Sequence, residues 1–190
     1  MNSVDLKHKK VDAVNAGEAP VPEPQLDACI NAAGDRLQAN TSIEVAAEAE
    51  ATFIVVNTPS TESGRYALEA IEGVCRDLGA ALAGTEDEHL VVITSTVFPG
   101  STTGEIQTWI ESASGRQAGE GLQLCYSPEF IAIGDVIGGL KRPDFFLIGE
   151  HSVESGDHLV GIYERIRDNN APFIRMDPTS AEVAKMAINS

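Results

Sequence analysis

The chain reads as an α/β protein built on a doubly wound parallel sheet, and three observations carry that expectation. Short apolar runs of four or five residues alternate with longer amphipathic stretches, the rhythm of strand–helix–strand units. Several of the runs are continuous rather than alternating, as when helices cover both faces of a sheet. Small polar and turn-forming residues gather directly after the runs, where open α/β sheets bind their ligands.

The elements follow in order. Val4-Asp5 reads as the end of a strand. Residues 7–15 form a helix that Gly17 stops. Pro20, Pro22 and Pro24 make a stiff extended connector, followed by a helix over 25–33 and a short one over 42–50. Strands are expected at 53–56, 90–93, 122–126, 145–148 and 173–176. Residues 66–83 place Leu68, Ile71, Val74, Cys75, Leu78 and Leu82 near a 3.6-residue period. A helix over 103–114 follows Pro99-Gly100, with Thr102 or Thr103 as its cap. Another, over 153–167, carries Leu159, Ile162 and Ile166 on one stripe. Residues 180–190 are helical with no stop signal, so the pattern reads as interrupted there.

Composition narrows the function. The 190 residues hold 29 acids against 13 Lys and Arg, a net charge of −16, with 43% hydrophobic residues. That length suits one domain or slightly more, and the apolar content argues against disorder. A surface this negative opposes nucleic acid, and the basic cluster Lys7-His8-Lys9-Lys10 is too short to reverse that. No apolar run nears the ~20 residues that cross a bilayer, and Met1-Asn2-Ser3-Val4-Asp5 has no apolar signal core. No membrane partner and a cytoplasmic location are expected. The acid excess, with few lysines, also fits halophilic adaptation, because salt screens self-repulsion. Cys29, Cys75 and Cys125 are widely spaced, with no CxxC and no His at zinc-ligand spacing. A reducing compartment, no metal centre and a core role for Cys125 follow.

Five motifs sit at or beyond predicted strand ends: Asn57-Thr58-Pro59-Ser60, Ser95-Thr96-Val97-Phe98-Pro99-Gly100, Ser127-Pro128-Glu129-Phe130-Ile131, Arg142-Pro143-Asp144, and Ala181-Glu182 with Lys185 and Asn189. Each alone is ordinary turn or helix-surface chemistry. In this order and spacing, with Val4-Asp5, Lys10-Val11 and Pro20-Val21-Pro22-Glu23-Pro24, they resemble the UDP-glucose/GDP-mannose dehydrogenase family of nucleotide-sugar dehydrogenases over nearly the whole chain.

The resemblance implies a Rossmann-like sheet lacking its first βα unit. Residues 1–177 would be a partial NAD-binding domain and 178–190 the start of the central, dimer-forming helix. It implies oxidation of the C6 hydroxyl of a UDP- or GDP-sugar to the acid, with two NAD and a cysteine that captures the aldehyde. The setting is nucleotide-sugar metabolism and polysaccharide biosynthesis, and the full-length relatives are expected to be homodimers. Residue by residue, Asp5 corresponds to the acid on the adenosine ribose and Lys10 to a cofactor-contacting lysine. Thr58 corresponds to the NAD-touching loop threonine, and Thr96 to a hydroxyl near the nicotinamide. Glu129 corresponds to an acid–base carboxylate, Phe130 and Ile131 to backbone contacts with the nucleotide sugar. Lys185 and Asn189 correspond to the donors beside the reacting carbon.

Departures accompany the likeness. No G-x-G-x-x-G occurs anywhere in these residues, and that turn would cradle the pyrophosphate. None of the three cysteines lies in a motif matching the nucleophile, and Ile133 stands where many relatives carry a second acid. The expectation is therefore a family member truncated at both ends and inactive as it stands. The alternative is a non-catalytic nucleotide-sugar-binding or interaction module. A 3-hydroxyacid type of Rossmann dehydrogenase shares the Lys/Asn pair but not the Ser-Pro-Glu-Phe and Ser-Thr-Val-Phe-Pro-Gly segments.

Overall fold

The computed structural model describes residues 1–188 apart from Glu62, Ser63, Arg65, Ala132 and Ile133. The chain opens with β1 (Asn2–Val4), α1 (His8–Asn15), the proline connector, α2 (Leu26–Ala33) and β2 (Gln38–Asn40). β1 and β2 pair in parallel as a small sheet of their own, Asn2 opposite Gln38. Asn15 docks α1 on β2 by giving its amide to Ala39 O at 3.0 Å and accepting from Ala39 N at 2.8 Å. β2 is absent from the sequence expectation, because Gln38-Ala39-Asn40 is a short polar run without an apolar signature. The helix expected over 42–50 is a 3-10 segment, Ile43–Glu48, capped by the Ser42 hydroxyl.

A six-stranded sheet follows, built from β3 (Ala51–Ile54), β4 (His89–Ile93), β5 (Gln117–Ala118), β6 (Gly121–Tyr126), β7 (Phe146–Glu150) and β8 (Phe173–Met176). Its order is β3-β4-β6-β7-β8, with the short β5 beside β6. β3, β4 and β6 run parallel, Ile54 beside Ile93 and Ile93 beside Tyr126, so the loops leaving them share one rim. β4 is buried throughout, and its residues alternate between two cores. Val91 and Ile93 face α3 (Glu69–Leu82) and α4 (Gln107–Ser114) through Ile71, Cys75, Leu78 and Ile110. Leu90 and Val92 face α6 (Val153–Glu164) through Leu159 and Tyr163. This two-sided cover is why the strand is a continuous apolar run. α3 begins at Glu69 rather than at residue 66, and a π-type turn, Thr102–Ile106, precedes α4. A short α5 (Val136–Lys141) was not expected from its small, two-glycine sequence.

One strand pair departs from the all-parallel expectation. β7 is antiparallel to β6, Cys125 opposite Glu150 and Tyr126 opposite Gly149, and β8 is parallel to β7. The carboxyl ends of β7 and β8 therefore point away from the shared rim. The helix after β8, α7 (Pro178–Ile188), then runs back toward it. Asp177 starts that helix by accepting from Ser180 N at 3.0 Å and from Ser180 Oγ at 2.6 Å. Gly149 lets it approach the sheet: a Cβ there would lie 2.7 Å from Pro178 Cα and 2.9 Å from Ala181 Cβ.

Two substitutions test this packing. Gly149→Ala is expected to destabilise by about 1–3 kcal/mol through overpacking. Leu78→Ala, in the α3–α4 core, is expected to cost about 2–5 kcal/mol. Both are read as lowered urea midpoints with unchanged slope.

Candidate functional site at the carboxyl rim

The residues singled out by sequence fall into three bonded pairs. The first closes β1. Asp5 accepts from Lys7 N at 2.8 Å and from Lys10 Nζ at 2.9 Å. The Lys10 ammonium, then the Lys7 N–H, holds the Asp5 carboxyl below the usual carboxylate range. Asp5 is therefore an ionised acceptor. Its side chain is about one third exposed, at 34%, and each oxygen keeps a second lone pair. A ribose diol, whose two hydroxyls need acceptors, fits that group.

The second pair joins the loops after β3 and β4. Thr58 Oγ1 donates to Thr96 O at 2.7 Å. Just before it, Ser95 Oγ donates to Val56 O and accepts from Val56 N, both at 2.8 Å. Small hydroxyl residues here knit two neighbouring loops where the strands stop pairing. The Ser95 bonds come from a residue to which no role was assigned by sequence.

The third pair lies beyond β6. The Lys185 ammonium, brought up the sheet by α7, donates to the main-chain carbonyl of Glu129. It also sits 4.4 Å from the centre of the Phe130 ring, a favourable cation–π placement. Phe130 in turn packs on Phe145, with ring centres 5.2 Å apart. Burial pushes the Glu129 carboxyl up, and the Lys185 charge partly offsets this. Burial lowers the Lys185 ammonium, and Glu129 partly offsets that. Each group thus favours the charged form of the other against a shared desolvation penalty.

Beside this pair opens a cleft of about 180 Å³. Glu129, Phe130, Ile131, Arg142, Asp144 and Tyr163 are among its lining residues. The Tyr163 hydroxyl donates to Ser127 Oγ at 2.8 Å, and Ser127 Oγ donates to Leu147 O at 2.9 Å. These bonds fix the first residue of the Ser127-Pro128-Glu129-Phe130 loop to the sheet beneath it. Tyr163 belongs to α6, and its part was not legible as a motif. A further tie is also new: Glu23, in the proline connector, accepts from Val136 N at 2.7 Å and from Gly134 N at 3.2 Å. The connector is thereby latched to the stretch that follows Ile131.

Thr58, Thr96 and Glu129 leave the same rim of one parallel set, and Lys185 reaches Glu129. Asp5 follows β1 of the separate β1–β2 sheet, and Lys10 lies in α1 beside it. Asn189 and Ile133 lie outside the described residues. Cys75 and Cys125 are buried, their thiols pushed up to about 12 and about 11 by burial. Neither is a rim nucleophile, and the expected core role of Cys125 holds. The cap expected from Thr102 or Thr103 is not made by either residue on its own helix: Thr102 Oγ1 donates to Glu182 instead. Among the described residues no group of His, Cys, Asp and Glu could hold a metal ion, and no helix is long and apolar enough to cross a membrane.

A parallel strand set covered on both faces, with hydroxyl-bearing loops beyond its carboxyl ends, is the architecture of nucleotide-binding α/β domains. The model of the UDP-glucose/GDP-mannose dehydrogenase family, NAD binding domain, matches residues 1–167, and the chain belongs to that family. NAD is the cofactor of this domain. The chain is 35% identical to UDP-glucose 6-dehydrogenase AglM of Haloferax volcanii over 99% of its own length and 44% of that relative. It is also 35% identical to GDP-mannose 6-dehydrogenase of Pseudomonas putida, over 98% of its length and 42% of the relative. A ternary complex of GDP-mannose dehydrogenase from Pseudomonas aeruginosa superposes with a TM-score of 0.93 at 34% identity, covering 99% of this chain and 43% of that one. The chain thus spans less than half the length of these relatives.

The coupling within the third pair gives a titration test. The Glu129 carboxyl should titrate above exposed glutamates in a carbon-detected NMR series. Lys185→Met should move that midpoint further up, because the ammonium is what holds it down. With its folded value raised, Glu129 contributes stability that is present at low pH and lost as pH rises through the folded midpoint. Glu129→Gln should remove that pH-dependent loss from the urea midpoints.

Proposed function

We propose that this chain is the NAD-binding part of a nucleotide-sugar 6-dehydrogenase that oxidises UDP-glucose, a UDP-N-acetylhexosamine or GDP-mannose at C6 to the uronate. The observation that carries the proposal is the Lys185 ammonium held between the Glu129 carbonyl and the Phe130 ring, on the rim that Thr58 and Thr96 share. In this reading Asp5 accepts from the ribose hydroxyls of NAD, Lys10 steadies Asp5, and the Thr58–Thr96 loops contact the cofactor, with Thr96 on its nicotinamide side. NAD supplies the hydride acceptor when bound. Lys185, with Asn189 four residues further along the sequence, donates hydrogen bonds to the oxygen on C6 as negative charge develops there. Glu129, whose carboxyl burial pushes up, takes and returns a proton. The backbone of Phe130 and Ile131 holds the sugar in the cleft beside Tyr163. Residues 178–190 form the start of the central helix, through which full-length relatives would dimerise.

The 190 residues are inactive on their own in this proposal. Two features support that: no G-x-G-x-x-G is present to cradle a pyrophosphate, and Cys75 and Cys125 are buried with raised thiols. The place of the activity is cytoplasmic sugar-nucleotide metabolism feeding polysaccharide biosynthesis. The charge of −16 supports a molecule adapted to high salt, where counterions screen repulsion.

Incubation with NAD and UDP-glucose, followed by the absorbance of the reduced cofactor, should show no sustained turnover; turnover would sink the inactivity proposal. Calorimetry should show weak NAD and nucleotide-sugar binding, and Lys185→Met should weaken the sugar nucleotide about ten- to hundredfold by removing a charged hydrogen bond. Sugar-nucleotide binding with no NAD affinity would favour the non-catalytic binding module. Urea midpoints should rise as KCl is taken from low to molar levels, and a fall would end the high-salt reading.

A further inference from the structure

Glu182 is the fully buried carboxylate among the described residues, at 0% exposure, and no Lys or Arg among them pairs with it. A bare carboxylate in a core is costly unless hydrogen bonds replace its water. Here three do. Its Oε1 accepts from Thr102 N at 2.8 Å and from Thr102 Oγ1 at 2.6 Å, and its Oε2 accepts from Gly100 N at 2.5 Å. Gly100 presents its N–H from a left-handed turn, φ 89°, and Thr102 opens the π-type turn that runs into α4. Ser101, at the head of that turn, makes no side-chain cap bond. Glu182 is therefore the cap of that helical segment, supplied from 80 residues away, with its charge at the positive end of the helix.

The same carboxylate also fixes α7. Lys185 stands three residues on, one helical turn along the same face, and is 6% exposed. Ala181 and Pro178 rest on Gly149, so α7 is located at two points: steric contact with β7, and the carboxylate on the 100–102 turn. The loop it grips begins with Thr96, whose carbonyl accepts from Thr58.

We infer that Glu182 is a positioning residue: it binds the Thr96–Gly100 loop and the Lys185 helix into one geometry, so that the cofactor side and the sugar side of the rim are set together. The functional weight of this inference rests on the roles proposed above for Thr96 and Lys185; its geometric content does not.

The test uses the 190-residue chain with Glu182→Gln, whose amide nitrogen would face the Gly100 N–H. Thr102→Val, which deletes one donor only, serves if the first variant fails to fold. Leu78→Ala is the control for general destabilisation. In ligand-free protein, amine acylation of Lys185 is followed by peptide mass spectrometry against the exposed Lys7, Lys9 and Lys141. Glu182→Gln should raise the Lys185 rate about tenfold relative to those standards, the loss expected for a charged hydrogen bond, and Thr102→Val less. Leu78→Ala should leave the ratio unchanged. An unchanged ratio in both clamp variants, or an equal rise in the control, overturns the inference. Calorimetry adds a second arm: NAD and UDP-glucose affinity should weaken together in Glu182→Gln, whereas full retention of both, with only a lowered midpoint, would reduce Glu182 to a stability element. If the parent chain binds neither ligand, the proposed function fails while the labelling arm still decides the clamp.

Discussion

The structure depends on a reversal of strand direction. In a wholly parallel sheet, the helix after a strand leaves from the carboxyl rim and travels down the sheet. Because β7 turns antiparallel to β6 and β8 follows β7, the last strand ends at the opposite level and α7 climbs instead. Starting beside Gly149, which is in register with Tyr126, it needs one further turn past Ala181 to bring Lys185 to Glu129. A cation is thereby delivered to a rim on which the loops themselves place hydroxyls and carboxylates.

Holding that arrangement together falls to side-chain acceptors on backbone turns rather than to surface ion pairs. Glu182 gathers three donors from the 100–102 turn. Glu23 gathers two from the 134–136 turn. Ser127, Tyr163 and Leu147 form a chain of bonds beneath the Glu129 loop. Each ties backbone N–H or C=O groups of a turn or strand to a side chain distant in sequence. The exposed Arg175 network, by contrast, bonds Glu150 and Asp157 at 2.6 and 2.5 Å on the surface, where such pairs contribute little. Loops are usually the softer parts of a fold; here the 100–102 turn and the start of the Ser127 loop are held by the buried Glu182, Ser127 and Tyr163.

The N-terminal part is organised differently. Asp5, which follows β1, and Lys10, in α1, flank a two-stranded sheet that Asn15 ties to α1 and that meets the 3-10 segment, with Asn2 Nδ2 donating to Val45 O at 3.4 Å. The family relation rests on the whole matched stretch, 1–167, rather than on any one of these residues.

The sequence by itself determined the α/β class, the five main strands to within a few residues, the helices whose apolar stripes follow a 3.6 period, and the positions of Thr58, Thr96, Glu129 and Lys185 after or beside strand ends. Those features are local: a buried strand must be apolar throughout, an amphipathic helix must repeat, and a turn must use turn residues. It also misjudged what was local but weakly marked, such as the polar strand β2 and the glycine-containing α5. Only the tertiary structure decided that β7 runs backward, that Glu182 rather than a threonine caps the helix after Gly100, and that Lys185 meets the Glu129 carbonyl. Strand direction and long-range acceptors leave no periodic trace, because they are settled by which surfaces and hydrogen-bonding groups meet once the chain has packed.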